Sequence, residues 1–193
     1  MLERFIPPGP LDLLEVGCGR GELSLHFSRH HRVHAIDNSD YEHSENYMYT
    51  HTDLKQGIEL PTASVDVVFS KSVIEHFHYP LDLLNEMGRV LRPGGTLICM
   101  TPDWESQYRN FYNDCTHVSP FTHKSLSDAL NICNYKEIQV QKLYQLPFTW
   151  EYSWTKIIPI IISTLTPYSI YDKTVLTRFS REKMLIAKAT KPL

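Results

Sequence analysis

The sequence has little cysteine, and the few cysteines follow no regular spacing. Among its 193 residues there is no Cys-x-x-Cys pair, and the four positions are Cys18, Cys99, Cys115 and Cys133. A zinc ribbon needs paired cysteines, and a disulfide framework needs a denser set. Both kinds of fold are therefore excluded, and the composition is typical of a protein from a reducing compartment.

The sequence also lacks an excess of positive charge. It has 19 Lys and Arg against 22 Asp and Glu, which gives a formal net charge of −3. Contact with a phosphate backbone requires a basic surface, so we do not expect a nucleic acid partner. Residues 134–193 nevertheless carry nine basic and four acidic side chains. These basic residues either form an ordinary solvated face or lie against an anionic partner.

No long apolar run is present. Residues 1–8 do not combine a basic start with a hydrophobic stretch, so they resemble neither a signal peptide nor a membrane anchor, and we expect a cytoplasmic location. Hydrophobic residues make up 42% of the chain and charged residues 21%. This composition and length predict one globular domain over residues 1–193 with a single substantial core.

Short apolar runs alternate with helical patterns through the first hundred residues. We predict strands at 11–16, 32–36, 47–52, 65–70 and 96–100, with helices at 22–30 and around 83–91 that the Pro93-Gly94-Gly95 segment stops. Further along, a helix at 124–130 and strands at 138–143 and 183–189 are expected, the last strand closing the sheet edge. Such alternation predicts a parallel sheet with helices on both faces and a ligand beyond the carboxyl ends of the strands.

A glycine-rich turn follows the first predicted strand. Its glycines, Gly17, Gly19 and Gly21, have G-x-G-x-G spacing, which departs from the G-x-G-x-x-G fingerprint of dinucleotide-binding proteins. A turn of this kind lets the backbone approach a ligand closely. The second strand ends at Asp37, whose carboxylate is suited to accept hydrogen bonds from both hydroxyls of a ribose.

An ordered series of motifs carries a family resemblance. It comprises LEVGCGRG at 14–21, Asp37, Asp53-Leu54, DVVFS at 66–70, VIEH at 73–76 and RVLRPGGTL at 89–97. The series resembles the class I S-adenosylmethionine-dependent methyltransferases over about residues 10–102, and we take this stretch as the cofactor-binding core. The resemblance implies a Rossmann-like, doubly wound, mostly parallel sheet of seven strands, with S-adenosylmethionine as the cofactor.

The resemblance also implies a set of cofactor-binding residues. The methionyl part would lie against the glycine turn with Glu15 near its amino group, Asp37 would hold the ribose, and Asp53 would accept from the adenine. The alternative interpretation of Asp53 is a helix cap. The full expected set is Glu15, Gly17, Cys18, Gly19, Gly21, Asp37, Asn38, Asp53, Leu54 and Ser70.

Candidate catalytic residues lie outside these motifs. Methyl transfer releases a neutral thioether, so it needs positioning, and a base only where the acceptor is protonated. We expect His117, assisted by Asp114, to be that base, with His76 as the second candidate; His117 could equally be a loop-capping side chain. Asp103 and Trp104, which follow the fifth strand, are expected to bind substrate. Cys115 and His117 lack a matching second pair of ligands, so no metal is expected.

The acceptor is expected to be a small molecule. The segment FSKS at 69–72 is not the Asn/Asp-Pro-Pro-aromatic motif of amino-methylating enzymes, which favours a hydroxyl acceptor. The THVSPF stretch at 116–121 is similar to that of methyltransferases acting on sugars and other small metabolites, so a sugar hydroxyl or a glycan precursor is the expected acceptor. The alternatives are a scaffold that binds the cofactor without turnover and a nicotinamide-dependent oxidoreductase.

The cover of the substrate side is expected to come from the later chain. Only ten residues precede the first predicted strand, where related methyltransferases usually have one or two helices. Residues 103–125 and 145–175 are therefore expected to form substrate-side loops or a cover. The second segment combines aromatic residues with the isoleucine-rich stretch 157–162. A second interpretation is that this face rests on an anionic membrane that holds a lipid-linked substrate.

Overall fold

The computed structural model describes residues 2–193 and contains one seven-stranded sheet. The strand order is β3-β2-β1-β4-β5-β7-β6, with β7 antiparallel to both of its neighbours and the remaining pairs parallel. This confirms the predicted doubly wound, mostly parallel sheet. The strands are β1 Asp12–Val16, β2 Arg32–Asp37, β3 Met48–His51, β4 Val65–Lys71, β5 Leu91–Pro102, β6 Lys136–Tyr144 and β7 Lys183–Thr190.

Helices cover both faces of this sheet, and short 3-10 turns connect several elements. In α2 the buried residues Leu83, Leu84, Met87 and Val90 form one apolar stripe, which is why the helix packs flat on the sheet. The α-helices are α1 Glu22–Phe27, α2 Pro80–Val90, α3 Trp104–Gln107, α4 His123–Ile132, α5 Phe148–Glu151, α6 Ile157–Leu165 and α7 Val175–Phe179. No helix in the described part of the chain is long and apolar enough to cross a bilayer.

Apolar side chains form two clusters, one on each face of the sheet. On one face α2 and α4 pack over β4, β5 and β7, with Met87, Leu126 and Leu130 fully buried. On the other face Phe27 of α1 lies edge-on to Phe69 of β4, with 5.7 Å between ring centroids. The sheet is therefore buried on both sides, which explains the continuous apolar runs of its central strands.

Two expectations about the strands were wrong. The last strand, β7, does not close the sheet, because it is inserted between β5 and β6 and leaves β6 at the edge. The Pro93-Gly94-Gly95 segment does not lie between a helix and a strand, because β5 already begins at Leu91, which pairs with Val65. Gly94 has a φ of +76°, and the register of β5 on β4 shifts beside it. The glycines therefore form an irregularity within the strand.

The strand register brings the ends of three strands to one rim. Val16 of β1 pairs with Ile36 of β2 and with Ser70 of β4. The residues that follow these three are Gly17, Asp37 and Lys71. Because parallel strands all end at the same side, the first glycine and the acidic end of β2 meet at that rim.

Candidate active site

The turn after β1 depends on its glycines. Gly17, Gly19 and Gly21 have φ angles of +74°, +52° and +73°, in the left-handed region that side chains disfavour. A Cβ on Gly17 would lie 2.2 Å from a methyl group of Val73, and one on Gly21 would lie 1.8 Å from the Tyr47 hydroxyl. The turn therefore packs closely on its neighbours at both ends and is open only at Gly19.

Asp37 connects this turn to the end of β2. The Gly19 amide donates to Asp37 Oδ2 at 2.7 Å, and the Ser39 amide donates to Asp37 Oδ1 at 2.8 Å. The Gly17 amide also donates to the Ile36 carbonyl at 2.8 Å. Each carboxylate oxygen can accept more than one hydrogen bond, so Asp37 is held in place and still free to accept from a ligand.

A cavity of about 820 Å³ lies over this turn. Eight of the ten expected cofactor-binding residues line it: Glu15, Gly17, Cys18, Gly19, Asp37, Asn38, Asp53 and Leu54. Gly21 and Ser70 do not line the cavity. Gly21 instead precedes α1, and the Ser70 hydroxyl is fully buried without a hydrogen-bond partner in the part of the chain that the structure describes. The sequence did not indicate Lys71, the last residue of β4, or Val73, which follows that strand, and both also line the cavity.

Glu15 is the buried carboxyl group of the cavity, with 3% of its surface exposed. Burial raises its pKa to about 7, against the lowering effect of the Ser24 hydroxyl, which donates to it, and of nearby Lys71. Burial likewise raises the pKa of the Cys18 thiol to about 12, so that thiol is protonated at neutral pH. A cationic ligand group beside Glu15 would favour its ionised form.

Asp53 is both a cap and a cavity residue. Its Oδ1 accepts from the Lys55 amide at 3.0 Å and caps a 3-10 turn over Leu54–Gln56. The same residue lines the cavity beside Leu54. The capping role is therefore present in the structure and does not exclude the adenine role.

Two loops meet at the mouth of the cavity. The carbonyl of Glu75, after β4, accepts from the amides of Val118 and Ser119 at 2.8 and 2.9 Å. These bonds bring His117 beside His76, with 4.8 Å between the ring centroids. The structure thus brings together the two histidines proposed from the sequence. His76 lines the cavity, and His117 lies behind it against Phe111.

Asp114 is close to His117 but has another partner. Its Oδ2 lies 3.8 Å from His117 Nε2, beyond hydrogen-bond distance. Its Oδ1 accepts from the hydroxyl of Thr116 at 2.5 Å and from the Thr116 amide at 2.9 Å. The direct action of Asp114 in this arrangement is therefore to shape the loop and fix the Thr116 hydroxyl.

Glu75 is a site residue that sequence reasoning missed. It is fully buried, and its Oε2 accepts from the Thr101 hydroxyl at 3.0 Å. Its Oε1 has no hydrogen-bond partner among residues 2–193, and burial raises its pKa to about 7. The available signal was an acidic residue directly before His76 in the VIEH motif, where a buried strand ends.

Asp103 and Trp104 lie away from the cofactor cavity in the part of the chain that the structure describes. Asp103 is buried, and the Lys142 ammonium lies 3.2 Å from its Oδ1. The Trp104 ring packs edge-on against Phe111, which in turn contacts the ring of His117. Trp104 therefore supports the loop that carries His117, whereas Asp103 pairs with Lys142 of β6. The expected contact of both residues with substrate stays a prediction.

A second, largely apolar cavity of about 440 Å³ adjoins the first. The two share Leu23 and Lys71 as lining residues. Trp150 and Phe179, from the segment after β6, form part of its wall. The indole of Trp150 is held by a hydrogen bond of 2.7 Å to the Tyr144 carbonyl. This cavity is one place next to the first cavity where an apolar ligand group could be buried.

The fold and the first cavity together define a class of protein. A glycine turn after β1, a carboxylate at the end of β2 and an open cavity over both lie at the carboxyl rim of a doubly wound sheet, which is where such sheets bind nucleotides and related ligands. Residues 14–99 match the family model described as a methyltransferase domain. This match covers somewhat less than half of the chain and confirms the resemblance to the class I S-adenosylmethionine-dependent methyltransferases seen in the sequence.

Relatives and solved structures support this placement. A protein named as a probable S-adenosylmethionine-dependent methyltransferase from Mycolicibacterium smegmatis is 37% identical over 100 residues, covering 48% of this chain and 38% of the relative. The malonyl-[acyl-carrier protein] O-methyltransferase of Hahella chejuensis is 34% identical over 103 residues, covering 48% and 37%. This chain thus matches less than two fifths of either relative's length.

The fold also matches a solved N-methyltransferase. Phosphoethanolamine N-methyltransferase 2 from Haemonchus contortus, solved with S-adenosyl-L-methionine, superposes with a TM-score of 0.73 at 18% identity, covering all of this chain and 51% of that one. The cofactor of the family fits the residues present here, since an anchored carboxylate faces the cavity at Asp37 and a buried one at Glu15.

Proposed function

We propose that this protein transfers a methyl group from S-adenosylmethionine to a hydroxyl of a small-molecule acceptor. The observation that carries the proposal is the cavity formed by the Gly19–Asp37 contact, which opens beside the His76–His117 pair. Bound S-adenosylmethionine supplies a methyl group on a sulfonium, whose departure as a neutral thioether needs no acid. The chain has to position the reactants and receive a proton.

Different cavity residues would bind different parts of the cofactor. Asp37 accepts from the ribose hydroxyls, and Asp53 with Leu54 contacts the adenine. Ionised Glu15 balances the charge of the methionyl amino group. Anchoring by the Gly19 and Ser39 amides orients Asp37 before the ligand arrives, so little conformational freedom is lost there on binding.

The histidines carry the proton step in this proposal. His117 Nδ1 and His76 Nδ1 are both engaged by oxygen atoms, at 2.7 and 2.8 Å, which leaves each Nε2 available to accept a proton from the acceptor hydroxyl. His76 borders the cavity directly. Burial, and to a smaller extent the neighbouring His117, lowers its pKa, so the ring is neutral and able to accept.

The acceptor that fits best is a sugar or glycan precursor with an apolar portion. The adjoining cavity is walled by Met100, Trp150 and Phe179, and these side chains would bury a hydrocarbon or aromatic group. We propose that the segment 145–175 is the cover of the substrate side, since it supplies part of this wall. Its remaining surface is unusually apolar, with Trp154 71%, Ile157 56% and Leu165 77% exposed.

That exposed surface supports a peripheral contact with an anionic membrane that holds the acceptor. An aromatic and aliphatic helix face with an exposed lysine at its start, here Lys156, is typical of helices that lie in the membrane interface. Sedimentation with vesicles of anionic phospholipid should retain the protein at low salt and release it at high salt. If an Ile157→Ser, Leu165→Ser double variant sedimented with the vesicles as well as wild type does, the proposed membrane contact would be wrong.

The activity itself is tested with a labelled methyl donor. Purified protein is incubated with methyl-labelled S-adenosylmethionine and a panel of free sugars, nucleotide sugars, lipid-linked sugars and phenols. Label should appear in one hydroxyl-containing class. If the cofactor binds and no class accepts label, the alternative of a cofactor-binding scaffold without turnover becomes the better account.

A further inference from the structure

Three potential metal ligands converge at the mouth of the cofactor cavity. Glu75, His76 and His117 each offer a ligand atom, and these atoms lie within 4.8 Å of one another. Glu75 and His76 follow β4, whereas His117 comes from the loop about 40 residues later. The bonds from the Val118 and Ser119 amides to the Glu75 carbonyl hold the two segments together.

The hydrogen-bond partners of the imidazoles determine which nitrogen is free. His117 Nδ1 lies 2.7 Å from the Phe111 carbonyl, which can only accept, so this nitrogen carries the hydrogen. The Thr116 hydroxyl donates to Asp114, and it therefore accepts from His76 Nδ1 at 2.8 Å. Both rings thus present Nε2 as a free lone pair, in the tautomer that ligating histidines adopt when an oxygen atom orients the other nitrogen.

Glu75 supplies an independent observation at the same place. The residue is fully buried, and the Thr101 hydroxyl is bound to its Oε2, yet Oε1 has no partner in the described part of the chain. A buried carboxylate oxygen without a partner is costly, so a group that binds it is expected. Asp114, 3.8 Å from His117 Nε2, adds further negative charge beside the cluster.

We propose that Glu75, His76 and His117 bind a divalent cation with the ligand preferences of zinc. Two imidazole nitrogens and one carboxylate oxygen are a ligand set of catalytic zinc sites, which leave a coordination position open. Ligand atoms bound at about 2.1 Å from a tetrahedral zinc ion lie about 3.4 Å from one another. The distances between the ligand atoms, which here reach 4.8 Å, must therefore shorten by about 1 to 1.5 Å on binding. Small shifts of the partly exposed His76 ring and of the Glu75 and His117 side chains would supply this movement.

The cation would bind and activate the methyl acceptor, and it would not contact the cofactor. Its open position would take the acceptor oxygen and lower the pKa of that hydroxyl, whose proton would pass to solvent water. With both Nε2 atoms bound to the cation, His76 and His117 would act as ligands, in place of the direct proton acceptance proposed above for the metal-free site. This use rests on the proposed methyl transfer, whereas the binding of the cation does not. We expected no metal because Cys115 and His117 have no second pair of ligands nearby in the sequence. The tertiary structure brings Glu75 and His76 to His117 from about 40 residues away, which the spacing of residues in the sequence does not show.

The test measures metal binding without any acceptor. The full-length protein, freed of metal with a chelator, is titrated with Co²⁺ while visible absorption is recorded, and Zn²⁺ is then added as a competitor. Wild type should bind one equivalent of each ion. His76→Ala and Glu75→Gln should each weaken binding by more than about 100-fold, and Thr116→Val by about 10- to 100-fold, since it releases His76 Nδ1.

His78→Ala is the matched control, because His78 is exposed and only two residues from His76. Circular dichroism and cofactor affinity show whether each variant folds, and His76 is exposed enough that its removal should not unfold the domain. Wild-type binding no tighter than that of His76→Ala would overturn the site. Binding of Co²⁺ by a protein that transfers no methyl group would leave the site intact and count only against the proposed function.

Discussion

The Gly19 amide lies 2.7 Å from Oδ2 of Asp37, a contact that joins the end of the first strand's turn to the end of the second strand. The contact has two consequences. It fixes the carboxylate without using all of its acceptor capacity, and it fixes the turn at its least restrained glycine, since a Cβ on Gly19 would meet no atom within 4 Å. The cofactor affinity and the shape of the turn should therefore depend on the same residue.

Removing the Asp37 carboxylate should weaken cofactor binding. Asp37→Ala loses charge-assisted hydrogen bonds to the ribose, at a cost of about 1.5 to 3 kcal/mol, which is roughly a 10- to 150-fold rise in Kd. Calorimetry with S-adenosylmethionine and its demethylated product measures the change. Asp40→Ala is the control, because the Asp40 side chain is fully exposed three residues away. Tight binding of NAD by wild type, without binding of either sulfur compound, would contradict the cofactor assignment.

Alanine substitutions at two glycines of the turn should affect stability and cofactor binding differently. Gly17→Ala should lower the free energy of unfolding by about 2 kcal/mol or more, because it adds left-handed backbone strain to the overlap with Val73. Gly19→Ala should cost only about 1 to 2 kcal/mol in stability, yet weaken cofactor binding, since its methyl group enters the cavity.

Gly9→Ala provides the comparison for these two variants. Gly9 also has a positive φ, of +102°, with no atom within 4 Å of its Cβ position, and it lies outside the cavity. Gly9→Ala should therefore show only the effect of left-handed backbone strain on the free energy of unfolding. Urea unfolding and calorimetry on the three variants separate the effects, and equal cofactor affinity in Gly19→Ala and Gly9→Ala would contradict the placement of the cofactor over Gly19.

Glu15 should make both stability and cofactor affinity depend on pH. Its folded-state pKa of about 7 lies above the ordinary value of 4.5, so the folded protein binds this proton more tightly than the unfolded chain. The stabilisation is complete below about pH 4.5 and is lost as pH rises through 7, by up to about 3 kcal/mol. Glu15→Gln should therefore raise the free energy of unfolding at pH 8, measured by urea denaturation.

Glu15 should make cofactor affinity increase with pH, whereas it makes stability decrease. The cationic amino group of the cofactor favours ionised Glu15, so affinity should rise between pH 6 and 8 with release of a proton. Calorimetry in buffers of different ionisation enthalpy measures that proton. Glu15→Gln should bind more weakly and without the pH dependence. A wild-type affinity that does not change over this range would show that Glu15 does not contact the cofactor.

His117 should matter for turnover and little for cofactor binding. His117→Ala should lower kcat by about 100-fold or more, as expected for loss of the group that acts on the acceptor proton, while cofactor Kd stays nearly constant because the residue does not line the cofactor cavity. Asp114→Ala should have a smaller effect, because its oxygen lies 3.8 Å from His117 Nε2 and its bonds go to Thr116. Steady-state kinetics on the labelled-donor assay distinguishes these outcomes.

The order of elements and the cofactor half of the site followed from the sequence. The turn glycines, Asp37 and Asp53 are local signals: each is set by the end of a strand, and parallel strands must end at one rim. Eight residues expected from these motifs line one cavity for that reason. Apolar runs likewise placed the inner strands β1, β4, β5 and β7, because burial on both faces of a sheet imposes such runs on the sequence. The edge strands β3 and β6 are mostly exposed or half-buried and carry no such run.

Only the tertiary structure decided the long-range pairings. The insertion of β7 between β5 and β6 depends on packing among strands far apart in the chain, which local patterns do not encode. The meeting of Glu75 and His76 with His117 depends in the same way on two backbone hydrogen bonds between loops about 40 residues apart. A side chain's neighbours at such a junction are set by the path of both loops, so the buried carboxylate beside the histidines became visible only in the fold.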